Sequence, residues 1–346
     1  MDDHMSQTNP LRCPVCDAPA DPTHVICEAC GADLDAPAQP RGHWLSSAAE
    51  TAACAGCGGT VLDAHGYCQS CGRRQNPTAD RAELDLTLLG AATDYGKRHH
   101  YNQDALAIGR YDGVSVIVVC DGVSSSTFGE LASLAASEAA VAAILDSLAA
   151  KNSMAVASHA GVVAGSKAAA AAGKGLEDNP PSCTYVSAVM DDKEIEVTWV
   201  GDSRAYWVSG DYAQCLTVDD SHVGRLAAHG VPEDDERYHT PYATALLAWL
   251  GSDSPELRPN THTYVPDGPG RLIVCSDGLS CYMDDASDLV PLPAGEPVHI
   301  AAALTERARV AGGRDNISVA VAQFPPVAAE AAVEDSTVRL YPGGPT

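Results

Sequence analysis

Apolar and polar positions divide the chain into three textures. Residues 1–83 carry few apolar runs and many turn formers, 84–324 alternate strand-length apolar runs with helical patterns, and the remainder is rich in Pro, Ala and acid. Val116-Ile117-Val118-Val119-Cys120 is the clearest run, β-branched and bounded by Gly, as expected of a strand covered on both faces. Arg271-Leu272-Ile273-Val274-Cys275 repeats it, and 86–94, 105–108, 184–190, 194–200, 205–208 and 317–324 read as further strands. Leu131, Leu134, Val141, Ile144 and Leu148 fall at helical spacing and predict a helix over 130–150. An Ala-rich partner follows at 154–173, weakened by Gly161 and Gly165, and a third helix at 298–310. The polar stretch from about 217 to 259 reads as a mobile flap containing a helical segment at 243–250. The acidic tail, 326–346, is expected to be disordered.

The strands share an unusual ending. Asp121-Gly122 closes the first apolar run and Asp277-Gly278 the second; Asp202 sits in a tight turn at an expected hairpin tip, and Asp104 and Asp315 stand just before strands. Burying a bare carboxylate costs several kcal/mol, so acids at such positions point to pairing or to a bound cation. Together they form a candidate metal cluster.

Cysteine spacing adds a second chemistry. Of 13 cysteines, eight fall in Cys13-x-x-Cys16, Cys27-x-x-Cys30, Cys54-x-x-Cys57 and Cys68-x-x-Cys71, giving two copies of C-x2-C-x10-C-x2-C. Each unit is too small to fold on an apolar core, and four thiolates suit a structural tetrahedral Zn2+ with no open catalytic position. The chain therefore divides into a first zinc ribbon at 1–35, a linker at 36–53, a second ribbon at 54–75, a linker at 76–83, a main domain at 84–325 and the tail. Cys120, Cys183, Cys215, Cys275 and Cys281 read as reduced core cysteines.

Charge narrows the partners. A formal net charge of -25 argues against nucleic acid and against an anionic membrane surface, and the ribbons lack a basic footprint. No apolar run reaches the roughly 18 residues of a membrane span and no leader pattern opens the chain, so a cytoplasmic location is expected. The ribbons then read as protein-docking modules or as a simple cap.

Seven motifs in order resemble the metal-dependent protein serine/threonine phosphatases of type 2C: Asn102-Gln103-Asp104, Val119-Cys120-Asp121-Gly122, Phe128-Gly129-Glu130, Val200-Gly201-Asp202-Ser203-Arg204-Ala205, Leu216-Thr217-Val218-Asp219-Asp220-Ser221, Cys275-Ser276-Asp277-Gly278-Leu279 and Gly313-Arg314-Asp315-Asn316-Ile317-Ser318. The resemblance covers about 84–324 and implies an α+β fold, an αββα sandwich of two antiparallel sheets flanked by helices. It implies that Asp121 bridges two Mn2+ or Mg2+ ions beside the Gly122 carbonyl. Asp277 and Asp315 supply further carboxylates, Asp104 acts through water, and Asp202 with Asp277 holds a third ion. Asp121, Asp277 and Asp315 then carry the catalysis: hydroxide between the metals attacks phosphoserine or phosphothreonine in line, without a phosphorylated enzyme intermediate. The implied partners are phosphorylated proteins and a cognate Ser/Thr kinase.

Three departures stand out. His99, with Arg98 beside it, occupies the place of a phosphate-binding arginine; Gln103 replaces a glutamate; and Val123-Ser124-Ser125-Ser126 replaces a Gly-rich segment. They leave open a competing reading, a weak or inactive phosphatase fold that binds phosphoproteins as a scaffold. Thr337 in the tail is a candidate phosphopeptide for a forkhead-associated partner, against a default of solvated tail.

Overall fold

The apolar run Val114–Cys120 is a strand whose alternate side chains enter different cores. Ile117 and Val119 face one cluster, while Val116, Val118 and Cys120 face another. A period of two splits the run between two faces that are both covered, which is why it contains no polar alternation. Gly270–Cys275 does the same, with Leu272 and Val274 on one side and Ile273 and Cys275 on the other.

The computed structural model describes residues 42–49, 54, 57–62, 67–73, 75–176, 178–232, 234–240, 242–254, 256–326 and 337–341. Its strands begin with β1 (Gly42–Ser46), β2 (Arg81–Asp85), β3 (Leu89–Asp94), β4 (Ala105–Tyr111) and β5 (Val114–Cys120). Helices α1 (Gly129–Ala149) and α2 (Met154–Ala172) follow, then β6 (Ser182–Cys183), β7 (Tyr185–Met190), β8 (Ile195–Val200), β9 (Arg204–Ser209) and β10 (Tyr212–Cys215). The chain continues through α3 (His222–Ala228), β11 (Leu250–Gly251), β12 (Asn260–Tyr264), β13 (Gly270–Cys275), α4 (Asp277–Ser280), α5 (Pro297–Ala311), β14 (Ile317–Phe324) and β15 (Thr337–Tyr341).

Two antiparallel sheets stack face to face, one ordered β1-β4-β5-β7-β8-β12 and the other β10-β9-β13-β14-β3-β2-β15. Leu106, Ile108, Val186, Leu272 and Ala320 fill the space between them. Helices α1 and α2 cover the outer face of the first sheet and α5 that of the second. The architecture is the expected αββα sandwich. Helix α1 is long and apolar enough to span a bilayer by composition, but its buried side packs on the sheet and on α2. Gly161 and Gly165, read as weak points, are where α2 meets α1: a Cβ on Gly161 would stand 2.6 Å from Ile144 Cγ1.

Several boundaries move. The linker at 36–53 contains β1, which pairs with β4, and the linker at 76–83 runs into β2. The single strand expected at 86–94 is the second arm of the β2–β3 hairpin. The helix expected at 243–250 is absent, because Leu246 bridges Ser221 and the Leu247 N–H bonds the Asp220 carbonyl at 2.7 Å, holding the segment extended. The flap carries α3 and a 3-10 turn at Glu236–His239. The tail is not wholly irregular, since β15 pairs antiparallel with β2 and Thr337 heads it, exposed. Asp202 is not at a hairpin tip: β8 pairs with β7 and β12 whereas β9 pairs with β13 and β10, so the Gly201 turn passes the chain from one sheet to the other. The first ribbon, with Cys13, Cys16, Cys27 and Cys30, lies outside the described residues.

Candidate functional site

The ladder registers bring the acids to one end of the sandwich. Ala105 pairs with Cys120, so Asp104 and Asp121 leave the first sheet side by side. Cys275 pairs with Val319 in the second sheet, placing Asp277 just past one strand and Asp315 just before the other. The turn between sheets delivers Asp202 to the same end. Asp121 lies close enough to Asp104, Asp202, Asp277 and Asp315 that the charge of each opposes its own.

Small polar side chains fix this arrangement. Ser276 Oγ donates to Asp104 Oδ2 at 2.7 Å and accepts the Ser318 N–H at 3.0 Å, tying the two sheets together at the acids. Asn316 Oδ1 accepts the Gln103 N–H at 2.8 Å while its Nδ2 donates to the carbonyls of Tyr95 and Tyr101. Thr184 Oγ1 accepts the Asp121 N–H at 3.1 Å and pairs with Ser203 Oγ at 2.7 Å. Asp220 Oδ2 accepts the Gly201 N–H at 3.1 Å, and Asp219 holds Arg204 through two parallel bonds of 2.8 and 2.7 Å, so both brace the turn that carries Asp202. In the sequence Asn316, Ser276, Asp219 and Asp220 are legible only as polar or acidic residues within the seven motifs.

Gly122 packs too closely for any side chain, since a Cβ would stand 2.6 Å from the Gln103 carbonyl oxygen and 2.8 Å from the Gly129 carbonyl carbon. Gln103 donates from Nε2 to Glu130 Oε2 at 3.4 Å, so its amide serves a buried carboxylate at the start of α1. His99 Nε2 lies 3.1 Å from Asp315 Oδ1. Arg98 is exposed, and among the described residues no hydrogen bond or ion pair joins it to the acids.

Burial and mutual repulsion dominate the electrostatics at this end of the sandwich. Burial first, with Asp315 also opposing charge, raises Asp104 to about 7 although Ser276 lowers it. Burial followed by Asp315 and Asp104 raises Asp277 to about 7, and burial followed by Asp277 and Asp219 does the same for Asp202. Asp121 keeps some surface, but protein crowds its carboxyl; burial and then Asp104, Asp277, Asp315 and Asp202 push it well above the ordinary range. Asp104 Oδ1 and Asp277 Oδ1 are buried without any hydrogen-bond partner. Orphaned oxygens amid mutually repelling acids fit hard divalent cations, which take oxygen donors and offset the charge.

The second cysteine set also converges. The sulfurs of Cys54, Cys57, Cys68 and Cys71 all lie within 4.8 Å of one another, with Cys54 to Cys71 at 3.6 Å and Cys57 to Cys68 at 3.5 Å. Disulfides need about 2.05 Å, whereas tetrahedral zinc with its usual bond length spaces sulfurs about 3.8 Å apart. The two halves are built alike: the Gly58 N–H bonds the Cys54 carbonyl and the Gly72 N–H the Cys68 carbonyl, with φ of 72° at both glycines. The Ser70 backbone N–H leads the groups that lower the Cys68 thiol, while at Cys57 the Gly59 backbone hydrogen bond is outweighed by the neighbouring thiols, which raise it. Four sulfurs so placed suit a thiophilic cation.

Comparison with known proteins agrees with this geometry. The profile of the family described as protein phosphatase 2C matches residues 96–312. The serine/threonine protein phosphatase PstP of Mycobacterium tuberculosis is 28% identical over 245 residues, covering 70% of this chain and 46% of that protein, so the chain spans about half the length of this relative. The serine/threonine phosphatase stp of Listeria innocua is 25% identical over 236 residues, 66% of this chain and 92% of its own. Among solved structures, M. tuberculosis PstP/Ppp matches with a TM-score of 0.57 at 25% identity, covering 70% of this chain and 99% of that one. The PstP catalytic domain in complex with two manganese ions gives 0.54 at 26% identity, over 70% and 98% of the two chains.

Proposed function

Because the chain belongs to the protein phosphatase 2C family, we propose that it hydrolyses phosphoserine and phosphothreonine in proteins, opposing a Ser/Thr kinase. The observation that carries this reading is the convergence of Asp104, Asp121, Asp202, Asp277 and Asp315, with two buried carboxylate oxygens left without partners. Asp121, the Gly122 carbonyl, Asp277 and Asp315 would hold two Mn2+ or Mg2+ ions, Asp104 would support them, and Asp202 with Asp277 would hold a third. Cations there would neutralise the phosphoryl oxygens and make a water acidic enough to attack at neutral pH.

The protein's own groups do the rest. Ser276 and Asn316 keep Asp104 and the segment carrying Asp315 in fixed orientation, so little reorganisation accompanies the reaction. His99, partly exposed beside Asp315, would meet a phosphoryl oxygen of the bound residue. The acid cluster alone repels a phosphate dianion, which makes substrate binding conditional on cation loading.

Cys54, Cys57, Cys68 and Cys71 would hold a structural Zn2+, and the repeated spacing assigns Cys13, Cys16, Cys27 and Cys30 a second. The ribbons serve as protein-docking modules in this reading. Hydrolysis of a phosphothreonine peptide with and without Mn2+, alongside Asp277→Asn, tests the activity. Turnover that requires Mn2+ and collapses in the variant supports it; a folded chain that binds Mn2+ yet turns nothing over would favour a phosphoprotein-binding scaffold.

A further inference from the structure

The second four-cysteine module reaches the acid cluster from two sides. On one side its exit segment runs antiparallel to the chain after β1: the Ala49 N–H bonds the Pro77 carbonyl and the Ala79 N–H the Ser47 carbonyl, both at 2.8 Å. From this segment Asn76 Nδ2 donates to the Asn102 carbonyl at 3.0 Å, and Thr78 Oγ1 donates to the same oxygen. Asn102 in turn accepts the Asp104 N–H at 3.2 Å through its own Oδ1. On the other side Tyr67, which immediately precedes Cys68, sets its ring edge-on to Phe128 with centroids 6.4 Å apart. Phe128 holds a left-handed backbone, φ 59°, where the loop after Gly122 enters α1, and Gly122 packs on the backbone of the next residue, Gly129.

These contacts land on the two backbone segments that supply Asp104 and Asp121-Gly122. Gln75 Nε2 also reaches Cys54 Sγ at 3.2 Å, so the exit segment is fastened to the sulfur cluster itself. A unit of this size buries too little apolar surface to fold alone and would depend on a bound metal for order. We propose that the module is a positioning element of the acid cluster: with a thiophilic metal on Cys54, Cys57, Cys68 and Cys71, Tyr67, Asn76 and Thr78 hold both segments in register, and loss of that metal weakens divalent-cation binding at the aspartates. Occupancy of a soft-metal site thereby sets the affinity of a hard-metal site. The inference builds on the proposed function only in its consequence for turnover.

Four forms of the full chain test it: wild type, Tyr67→Ala, Tyr67→Phe and the Cys57→Ser/Cys71→Ser double variant. Zinc content, the Mn2+ dissociation constant by titration, and kcat and KM on a phosphothreonine peptide are the readouts. Tyr67→Ala is expected to keep its zinc, bind Mn2+ weaker by about fivefold or more and lose kcat with KM unchanged, while Tyr67→Phe, which keeps the ring contact, matches wild type. The double variant should lose zinc at this site and bind Mn2+ at least as weakly. Unchanged Mn2+ affinity in Tyr67→Ala, or in a folded zinc-depleted double variant, overturns the proposal, as does a Tyr67→Phe protein that behaves like Tyr67→Ala. If the double variant does not fold, the two Tyr67 variants decide. A wild-type chain without turnover whose Mn2+ binding still depends on the cysteines would sink the proposed activity and leave this coupling standing.

Discussion

His99 Nε2 stands 3.1 Å from Asp315 Oδ1, and that same oxygen accepts the Asn316 N–H at 2.8 Å. His99, which the resemblance sets at the place of a phosphate-binding arginine, is therefore anchored by an acid of the candidate metal cluster. One donor so held can orient a phosphate oxygen but lacks the two-pronged grip of a guanidinium. His99→Ala should raise KM for a phosphothreonine peptide by about tenfold, the worth of one hydrogen bond to a charged group, and leave kcat within about twofold. Steady-state kinetics at saturating Mn2+ check this. An unchanged KM would mean that His99 serves only to hold Asp315.

Asp121 illustrates how function strains this fold. Burial and then four neighbouring acids oppose its charge, so in the absence of cations the fold favours the protonated form of this carboxyl. An amide has nearly the shape of a protonated acid and needs no proton. Asp121→Asn is thus expected to stabilise the cation-free protein by about 1 kcal/mol, while Mn2+ no longer raises its Tm and turnover falls by about 10³-fold. Thermal melts with and without Mn2+ give the comparison, and a variant less stable than wild type under cation-free conditions would contradict it.

The same repulsion fixes a pH dependence. Asp104, Asp202 and Asp277 are raised from 3.8 to about 7 in the folded chain. Because the unfolded chain releases these protons first, their contribution to stability is full below about 4 and declines as pH rises towards about 7. Cation binding needs the ionised forms and so strengthens across the same window. Cation-free Tm should decline from pH 5 to pH 7.5, and the gain in Tm from a fixed Mn2+ concentration should be larger at pH 8 than at pH 6. A gain independent of pH would show that the acids are already ionised.

How much of this was legible follows from what each signal depends on. The strands β5 and β13 and the acids at their ends were readable because continuous apolar runs and their abrupt polar stops are local facts. The edge strands β10 and β12 were missed, since residues such as Gln214 and His262 on a solvent-facing edge carry no apolar period. Asp202 was placed on a hairpin because a tight Gly turn between strands looks the same whether the chain pairs back or changes sheet; that choice is made by partners distant in sequence. Asp219 and Asp220 looked like loop acids. Their work, holding Arg204 and the Gly201 amide, exists only once the two segments meet.

The outermost strand of the second sheet sets the last prediction. Residues 326–346 read as tail by composition, yet β15 pairs with β2 along Thr337 to Asp85 and Arg339 to Glu83, the latter with a side-chain contact of 3.7 Å. Without β15, strand β2 would expose a row of unpaired backbone groups, the usual template for edge-to-edge association. A chain ending at residue 326 should keep kcat/KM within about twofold, because the acids lie on other elements. Its amides at 81–85 should exchange faster with solvent, and the protein should self-associate as concentration rises. Hydrogen exchange and light scattering on the two lengths separate the cases: if the Arg81–Asp85 amides are protected equally in both, β15 contributes nothing to the sheet in solution.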